Sequence, residues 1–211
     1  MDLALASEFL DFDGTMTVVD SGVHVLERLA GERSWLAVDE LYGAGAIGSR
    51  ECLVREWELL PHDEDLLRTA ARQVALDPDA ERLIADLRER GAEVTVVSDG
   101  FGFYAEEVCR RLGVPVLTNS VDWSTGTIEF PNLDRCCPCS SCGTCKQAPI
   151  KDARRRGRTA VFVGDGISDR KAALLADVLF AKGRLATWCE VSGIDYRDFD
   201  TLADVHLALC R

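Results

Sequence analysis

The sequence predicts an α/β protein in which a parallel sheet is covered by helices. Short β-rich runs alternate with amphipathic helical patterns along most of the 211 residues. Several of these runs end in turns rich in aspartate, serine and glycine. One stretch, 19–76, breaks the rhythm just after the first run and reads as helical throughout.

The expected strands are Leu3 to Leu10, Glu93 to Val97, Val114 to Leu117, Thr159 to Val163 and Val178 to Ala181. Between them, Asp79 to Arg90, Phe103 to Leu112, Ala148 to Arg156 and Asp169 to Leu175 read as helices, and Thr201 to Leu209 as a last one. Leu83, Ile84 and Leu87 supply the apolar face of the first. The interrupting segment carries four helical stretches: Val23 to Ala30, Ser34 to Tyr42, Arg50 to Leu60 and Asp63 to Val74. Its position at the carboxyl end of the first strand suits a lid, because loops there surround the ligand site of open α/β sheets. A second irregular stretch, 119–145, opens as a hairpin around Ser124-Thr125-Gly126.

An apolar share of 47% suits a globular core, and a net charge of −12 argues against a nucleic-acid partner. The basic run Lys151 to Arg158 lacks interleaved aromatics and reads as a solvated helix face. No run approaches a membrane span, and the N-terminus lacks the basic segment of a cleaved signal, so a cytoplasmic protein with no membrane partner is expected. Oligomeric state leaves no trace in the pattern. Of nine cysteines, five crowd into 136–145. Cys136, Cys139, Cys142 and Cys145 recur every third residue, a spacing that fits a structural zinc or iron–sulfur site. A disulfide, or buried thiols bracing a loop, fits as well.

Chemistry concentrates at the strand ends. Asp11 and Asp13 close the first strand two residues apart, and so point to one side, with Gly14 freeing the turn that follows. Val94 to Val97 runs into Ser98-Asp99-Gly100, and Val161 to Val163 into Gly164-Asp165-Gly166-Ile167-Ser168-Asp169. Parallel strands align these tips in one crevice, gathering four carboxylates (Asp11, Asp13, Asp165 and Asp169) and a hydroxyl. A hard divalent cation such as Mg²⁺ relieves such a cluster.

The ordered set Asp-x-Asp-Gly-Thr, serine after a strand, lysine, and Gly-Asp-Gly-x-x-Asp resembles the haloacid dehalogenase superfamily of aspartyl-phosphate phosphatases. That resemblance implies a Rossmann-like doubly wound sheet, with 1–18 and 77–211 forming the catalytic core and 19–76 a small helical cap inserted after the first strand. It implies a Mg²⁺-dependent phosphomonoesterase acting on a small phosphorylated metabolite. Asp11 is then the nucleophile. Asp13 is the general acid and base, and its backbone carbonyl joins Asp11 and Asp165 on the metal. Asp169 supports the metal shell, and Ser98 binds the transferring phosphoryl oxygens. Of two candidate lysines, Lys146 precedes Pro149 and Ile150 at a helix start, as in relatives, whereas Lys151 sits among solvent-facing basic residues. Lys146 is therefore expected to offset the charge of Asp11 and the phosphoryl group.

The helical insert resembles the cap of the phosphoserine phosphatase-like branch. There Asp20 is expected to greet the substrate, with Ser98, Asp99 and Gly100 as further binding positions. A phosphatase of phosphoserine or of phosphocholine/phosphoethanolamine is the alternative, although the branch's cap arginine position falls at Glu56, beside Arg55, a departure that weighs against phosphoserine. Cys142 to Lys146 and the tail from Phe180 to Val205 look like the methionine-salvage phosphatases that act on 2-hydroxy-3-keto-5-methylthiopentenyl-1-phosphate. Phosphocholine/phosphoethanolamine phosphatases are more distant kin. Tyr42 and Trp57 are candidates for an apolar pocket, with cap–core packing as the ordinary fate of such side chains. In a different class stands a regulatory protein using Asp11 as a phosphorylation switch, which would have no need of Asp13, or a metal-binding module centred on the cysteines.

Overall fold

The computed structural model describes residues 2–31, 34–133 and 141–210. Cys136, Cys137 and Cys139 lie outside the described residues, so the proposed zinc or iron–sulfur site falls largely beyond them.

Six parallel strands form the main sheet in the order β3-β2-β1-β6-β7-β8. They are β1 (Ala6–Asp11), β2 (Glu93–Val97), β3 (Val116–Leu117), β6 (Thr159–Gly164), β7 (Val178–Ala181) and β8 (Arg197–Asp198), while β4 (Ser120–Asp122) and β5 (Thr127–Glu129) make a separate antiparallel hairpin. Strand β1 is central and buried along its whole length, as a parallel strand covered on both faces must be. Its alternation divides the core. Leu10 points toward α5 (Ala80–Glu89), α6 (Phe103–Leu112) and α10 (Leu202–Leu209). Phe9 points toward α7 (Gln147–Arg155), α8 (Arg170–Ala173) and α9 (Gly183–Ser192). The result is a doubly wound three-layer fold.

Pairing of Asp11 with Val97, and of Leu10 with Val163, brings the carboxyl ends of β1, β2 and β6 level. This is where the strand order reverses, the ordinary place for a ligand crevice. Four helices, α1 (Ser21–Leu29), α2 (Leu36–Gly43), α3 (Ser49–Trp57) and α4 (Glu64–Ala71), lie between β1 and α5. The chain leaves and returns along neighbouring paths: Val18 N donates to the Ala75 carbonyl at 2.9 Å and Asp77 N to the Met16 carbonyl at 2.9 Å.

The expected elements differ from the structure in four places. Strand β1 starts at Ala6, because the Asp2 carboxylate caps a short 3₁₀ turn over Leu3–Leu5. The third strand shrinks to Val116–Leu117. The helix expected from Asp169 divides into a 3₁₀ turn at Ile167–Asp169 and the short α8. Helix α9 and strand β8 had no counterpart among the expected elements.

The helical insert is stapled to the hairpin by aromatic side chains. Trp57 stacks on His62 at 5.0 Å between ring centroids, meets Phe101 at 5.7 Å and Trp123 at 5.9 Å, and donates to the Gly126 carbonyl at 2.8 Å. Trp57 is thus a packing residue and lines no part of the cavity described below. Arginines in and just after the last turn of α7 make ion pairs: Arg156 reaches Glu93 at 2.8 Å and Arg154 reaches Asp177 at 3.5 Å.

Candidate active site

Asp11 ends β1 and is buried, and the chain turns sharply through Asp13 and Gly14. Gly14 has φ +78°, and a Cβ there would stand 2.6 Å from Asp165 Oδ2, so only glycine fits. Behind this turn, Thr15 Oγ1 donates to Asp165 Oδ1 at 2.8 Å, locking the turn after β1 to the turn after β6.

Lys146 stands at the start of α7, is 4% exposed, and donates to both Asp11 and Asp169, the latter at 2.7 Å. Burial alone would strip its proton, but the two carboxylates overcome burial and hold the ammonium well above its ordinary range. The other oxygen of Asp169 accepts from the Asp165 amide at 3.1 Å and the Gly166 amide at 2.9 Å. Asp169 therefore orients Lys146 on one side and the 165–166 turn on the other. Lys151, the alternative, is half-buried one turn further along α7.

Carboxylate oxygens of Asp11, Asp165 and Asp169 all lie within 4.8 Å of one another. Burial, then the charge of Asp169, pushes Asp11 well up from the usual carboxylate range despite Lys146. The same two causes raise Asp165. One lysine does not neutralise three carboxylates, and the donor set is all oxygen, so the residues suit a hard divalent cation.

Asp13 sits apart from that trio. Its Oδ2 accepts from Ser98 Oγ at 2.9 Å, and its Oδ1 accepts from both the amide and the hydroxyl of Ser21 at the start of α1. Ser98 is fully buried and also accepts from the Gly100 amide at 3.1 Å. These partners fix the Asp13 carboxyl at the edge of the cavity described next.

Above lies a cavity of about 600 Å³ between the helical insert and the sheet. Asp11, Asp13, Lys146 and Asp165 form part of its floor, and Gly100 and Asp99 one side. The insert supplies an apolar wall including Val23, Leu26, Trp35, Leu36 and Leu53, together with Tyr42. It also supplies Asp20, Asp39 and Glu56. Asp20 caps α1 by accepting from the Val23 amide at 2.9 Å. Glu56 is pushed up to about 8 by burial, partly offset by the Cys52 thiol. Among the described residues, Arg184 is the one guanidinium lining the cavity, 4.0 Å from Asp39. Sequence reasoning did not single out Asp39 or Arg184, both cavity residues, because neither lies in a recurring motif; Ser168, also a cavity residue, occupies a variable position of the Gly-Asp-Gly-x-x-Asp run and drew no role.

A family model for haloacid dehalogenase-like hydrolases matches residues 9–174, which span the Asp11, Ser98, Lys146 and Asp165 positions. The chain belongs to this family. Its haloacid dehalogenase-like character extends to full-length relatives. It is 27% identical to a 2-hydroxy-3-keto-5-methylthiopentenyl-1-phosphate phosphatase of Exiguobacterium sibiricum, over 92% of each chain. It is 29% identical to one of Geobacillus kaustophilus, over 96% of this chain and 94% of the relative. Among solved structures, it is similar in fold to a phosphoserine phosphatase holding a phospho-aspartyl intermediate analogue, with TM-score 0.74, 22% identity, and coverage of 98% and 99%. A phosphoserine phosphatase from T. onnurineus gives TM-score 0.75 at 22% identity, covering all of this chain and 96% of the other.

Proposed function

We propose that this hydrolase is a Mg²⁺-dependent phosphomonoesterase that works through an aspartyl-phosphate on Asp11. The observation that supports it best is the buried Lys146 bonded to both Asp11 and Asp169, with Asp165 beside them, at the floor of the cavity between insert and sheet. We read 1–18 and 77–211 as the catalytic core and 19–76 as a cap, hinged where the two connections pair at 16–18 and 75–77. Asp11, Asp165 and the Asp13 carbonyl would hold Mg²⁺, with Asp169 bracing the arrangement. Bound there, the ion would supply positive charge to the phosphoryl oxygens.

In the first half-reaction an Asp11 oxygen attacks phosphorus and the bond to the alkoxide oxygen breaks. Asp13 hands that oxygen its proton, so the alcohol leaves neutral. In the second, Asp13 takes a proton from water as the water oxygen attacks phosphorus. The acyl–phosphate bond breaks, phosphate leaves and the Asp11 carboxylate returns. Ser98, bonded to Asp13, would bind the transferring phosphoryl oxygens, and the ammonium of Lys146 would favour the ionised form of Asp11 against burial and the neighbouring carboxylates.

The cavity favours a neutral, thioether-bearing tail such as that of 2-hydroxy-3-keto-5-methylthiopentenyl-1-phosphate, the substrate named for the curated relatives. Apolar wall residues suit the methylthio end, while Asp20, Asp39 and Glu56 can accept from hydroxyl groups. Asp39, with Asp20 and Glu56 as they ionise toward higher pH, favours an ammonium tail, as in phosphoethanolamine or phosphocholine, as the second reading. Phosphoserine brings a carboxylate of its own into that acidic wall and is disfavoured.

Hydrolysis of p-nitrophenyl phosphate with Mg²⁺ tests the mechanism. Activity that survives both Asp11→Asn and EDTA would defeat it. A panel of phosphorylated metabolites tests the substrate: the methylthiopentenyl compound should be turned over fastest, and a preference for phosphoserine sinks the reading of the cap wall.

A further inference from the structure

Asp99 follows Ser98 in the turn after β2, yet both of its oxygens are already occupied. Oδ2 accepts from the hydroxyl of Ser49, the first residue of α3, at 2.5 Å. Oδ1 accepts from the Thr144 amide at 2.7 Å and from Asn119 Nδ2 at 3.3 Å. Asn119 completes the knot: its Oδ1 accepts from the Thr144 hydroxyl at 3.0 Å, and the same Nδ2 also donates to the Gly100 carbonyl at 2.8 Å. One carboxylate thus joins three segments far apart in sequence. They are the turn bearing Ser98, the start of a helix in the insert, and the loop that ends at Lys146.

The same two outer segments touch a second time. The Arg50 amide donates to the Ser141 carbonyl at 3.1 Å, and Gly48 approaches Ser141 so closely that a Cβ there has no room. Thr144 is two residues before Lys146, whose ammonium must meet Asp11 and Asp169. If α3 lifts away, Ser141 loses the Arg50 amide directly, and Asp99, which holds the Thr144 amide, loses the Ser49 hydroxyl that fixes its own position, so the 141–146 loop is loosened at both places together.

We propose that Asp99 is a positioning residue that couples the seating of the helical insert to the placement of Lys146. Closure of the insert over a substrate and alignment of the lysine beside the nucleophile are then one event. An open enzyme holds a misaligned Lys146 and hydrolyses poorly. This rests on the reading of Lys146 as the charge partner of Asp11, but the coupling itself can be measured without turnover.

The experiment is residue-level amide exchange on the ligand-free protein, comparing wild type with Ser49→Ala, Ser49→Thr and Asp99→Asn. Coupling makes the Thr144 and Cys145 amides exchange at least about tenfold faster in Ser49→Ala, in step with the amides of α3. Ser49→Thr, which keeps the hydroxyl, restores both. With p-nitrophenyl phosphate, kcat falls in parallel while KM stays within about twofold. Asp99→Asn shifts both segments together in the same way, which guards against a folding defect peculiar to one variant. Faster exchange in α3 with Thr144 and Cys145 at the wild-type rate overturns the proposal, as does no change in either segment. Loss of all phosphatase activity in the wild type would instead sink the catalytic reading, leaving the exchange result to decide the coupling.

Discussion

Lys146 donates to Asp11 across 135 residues of chain, and the same ammonium is bonded to Asp169 at 2.7 Å. All three groups are at most 4% exposed. A buried ion cluster of this kind adds little net stability when intact, but breaking one partner leaves uncompensated charge.

Lys146→Met should therefore cost about 3–5 kcal/mol in urea denaturation near neutral pH and abolish hydrolysis. Asp11, already pushed up by burial and Asp169, takes a proton more readily once the lysine is gone. The loss should therefore be smaller at pH 5 than at pH 8. An equal loss at both pH values would show that Lys146 holds no charge in place.

Glu8 is fully buried in β1, and neither of its carboxylate oxygens meets a hydrogen-bond donor among the described residues. Burial pushes its carboxyl up to about 8 from 4.5. Below pH 4.5 it is neutral folded and unfolded alike. Between these values the unfolded chain ionises and the folded one does not, so stability falls as pH rises, by about 1.4 kcal/mol per pH unit. Glu8→Gln should remove that slope and stabilise the protein by about 3 kcal/mol at pH 7. Parallel stability–pH curves for the two proteins would contradict this.

Trp57 joins the insert to the β4–β5 hairpin through Phe101, Trp123 and the Gly126 carbonyl. Trp57→Ala should cost about 3–5 kcal/mol. Trp57→Phe keeps much of the packing but loses the hydrogen bond, and should cost closer to 1 kcal/mol beyond the volume change. Thermal unfolding separates the two, and equal melting temperatures would show that the seam carries no stability.

Mg²⁺ should raise the melting temperature in the absence of substrate. At about a hundred times Kd the gain is about 2.7 kcal/mol, or about 5–10 °C for a chain of this size. Asp165→Asn should remove most of that shift. A shift of the same size in the variant would place the ion elsewhere.

Much of this was legible in the chain itself. Period-two and helical apolar patterns located most of the sheet and the flanking helices, with β2, β7 and α6 matching residue for residue. Strand-end placement brought Asp11, Ser98 and Asp165 to one crevice before any coordinates. Helix α9 escaped because it opens on Gly183-Arg184 and carries Thr187, Trp188 and Val191, a sequence with little amphipathic stripe. Trp57 was weighed as a pocket residue, but its indole N–H found a carbonyl on the hairpin instead.

What local sequence determined, then, was placement: which carboxylates and which hydroxyl stand at the strand ends, because residue type and strand-end position need no knowledge of distant partners; the choice of Lys146 came from resemblance to relatives. Tertiary structure decided how they are held. Asp99 carries no mark of a cap-binding role in its own neighbourhood, since its Ser49 and Thr144 partners lie 50 and 45 residues away. The shape and acidity of the cavity wall likewise arise only when Asp20, Asp39 and Glu56, on separate helical segments, fold over the sheet. Such contacts depend on the loop closures and packing of the whole chain, which no local pattern records.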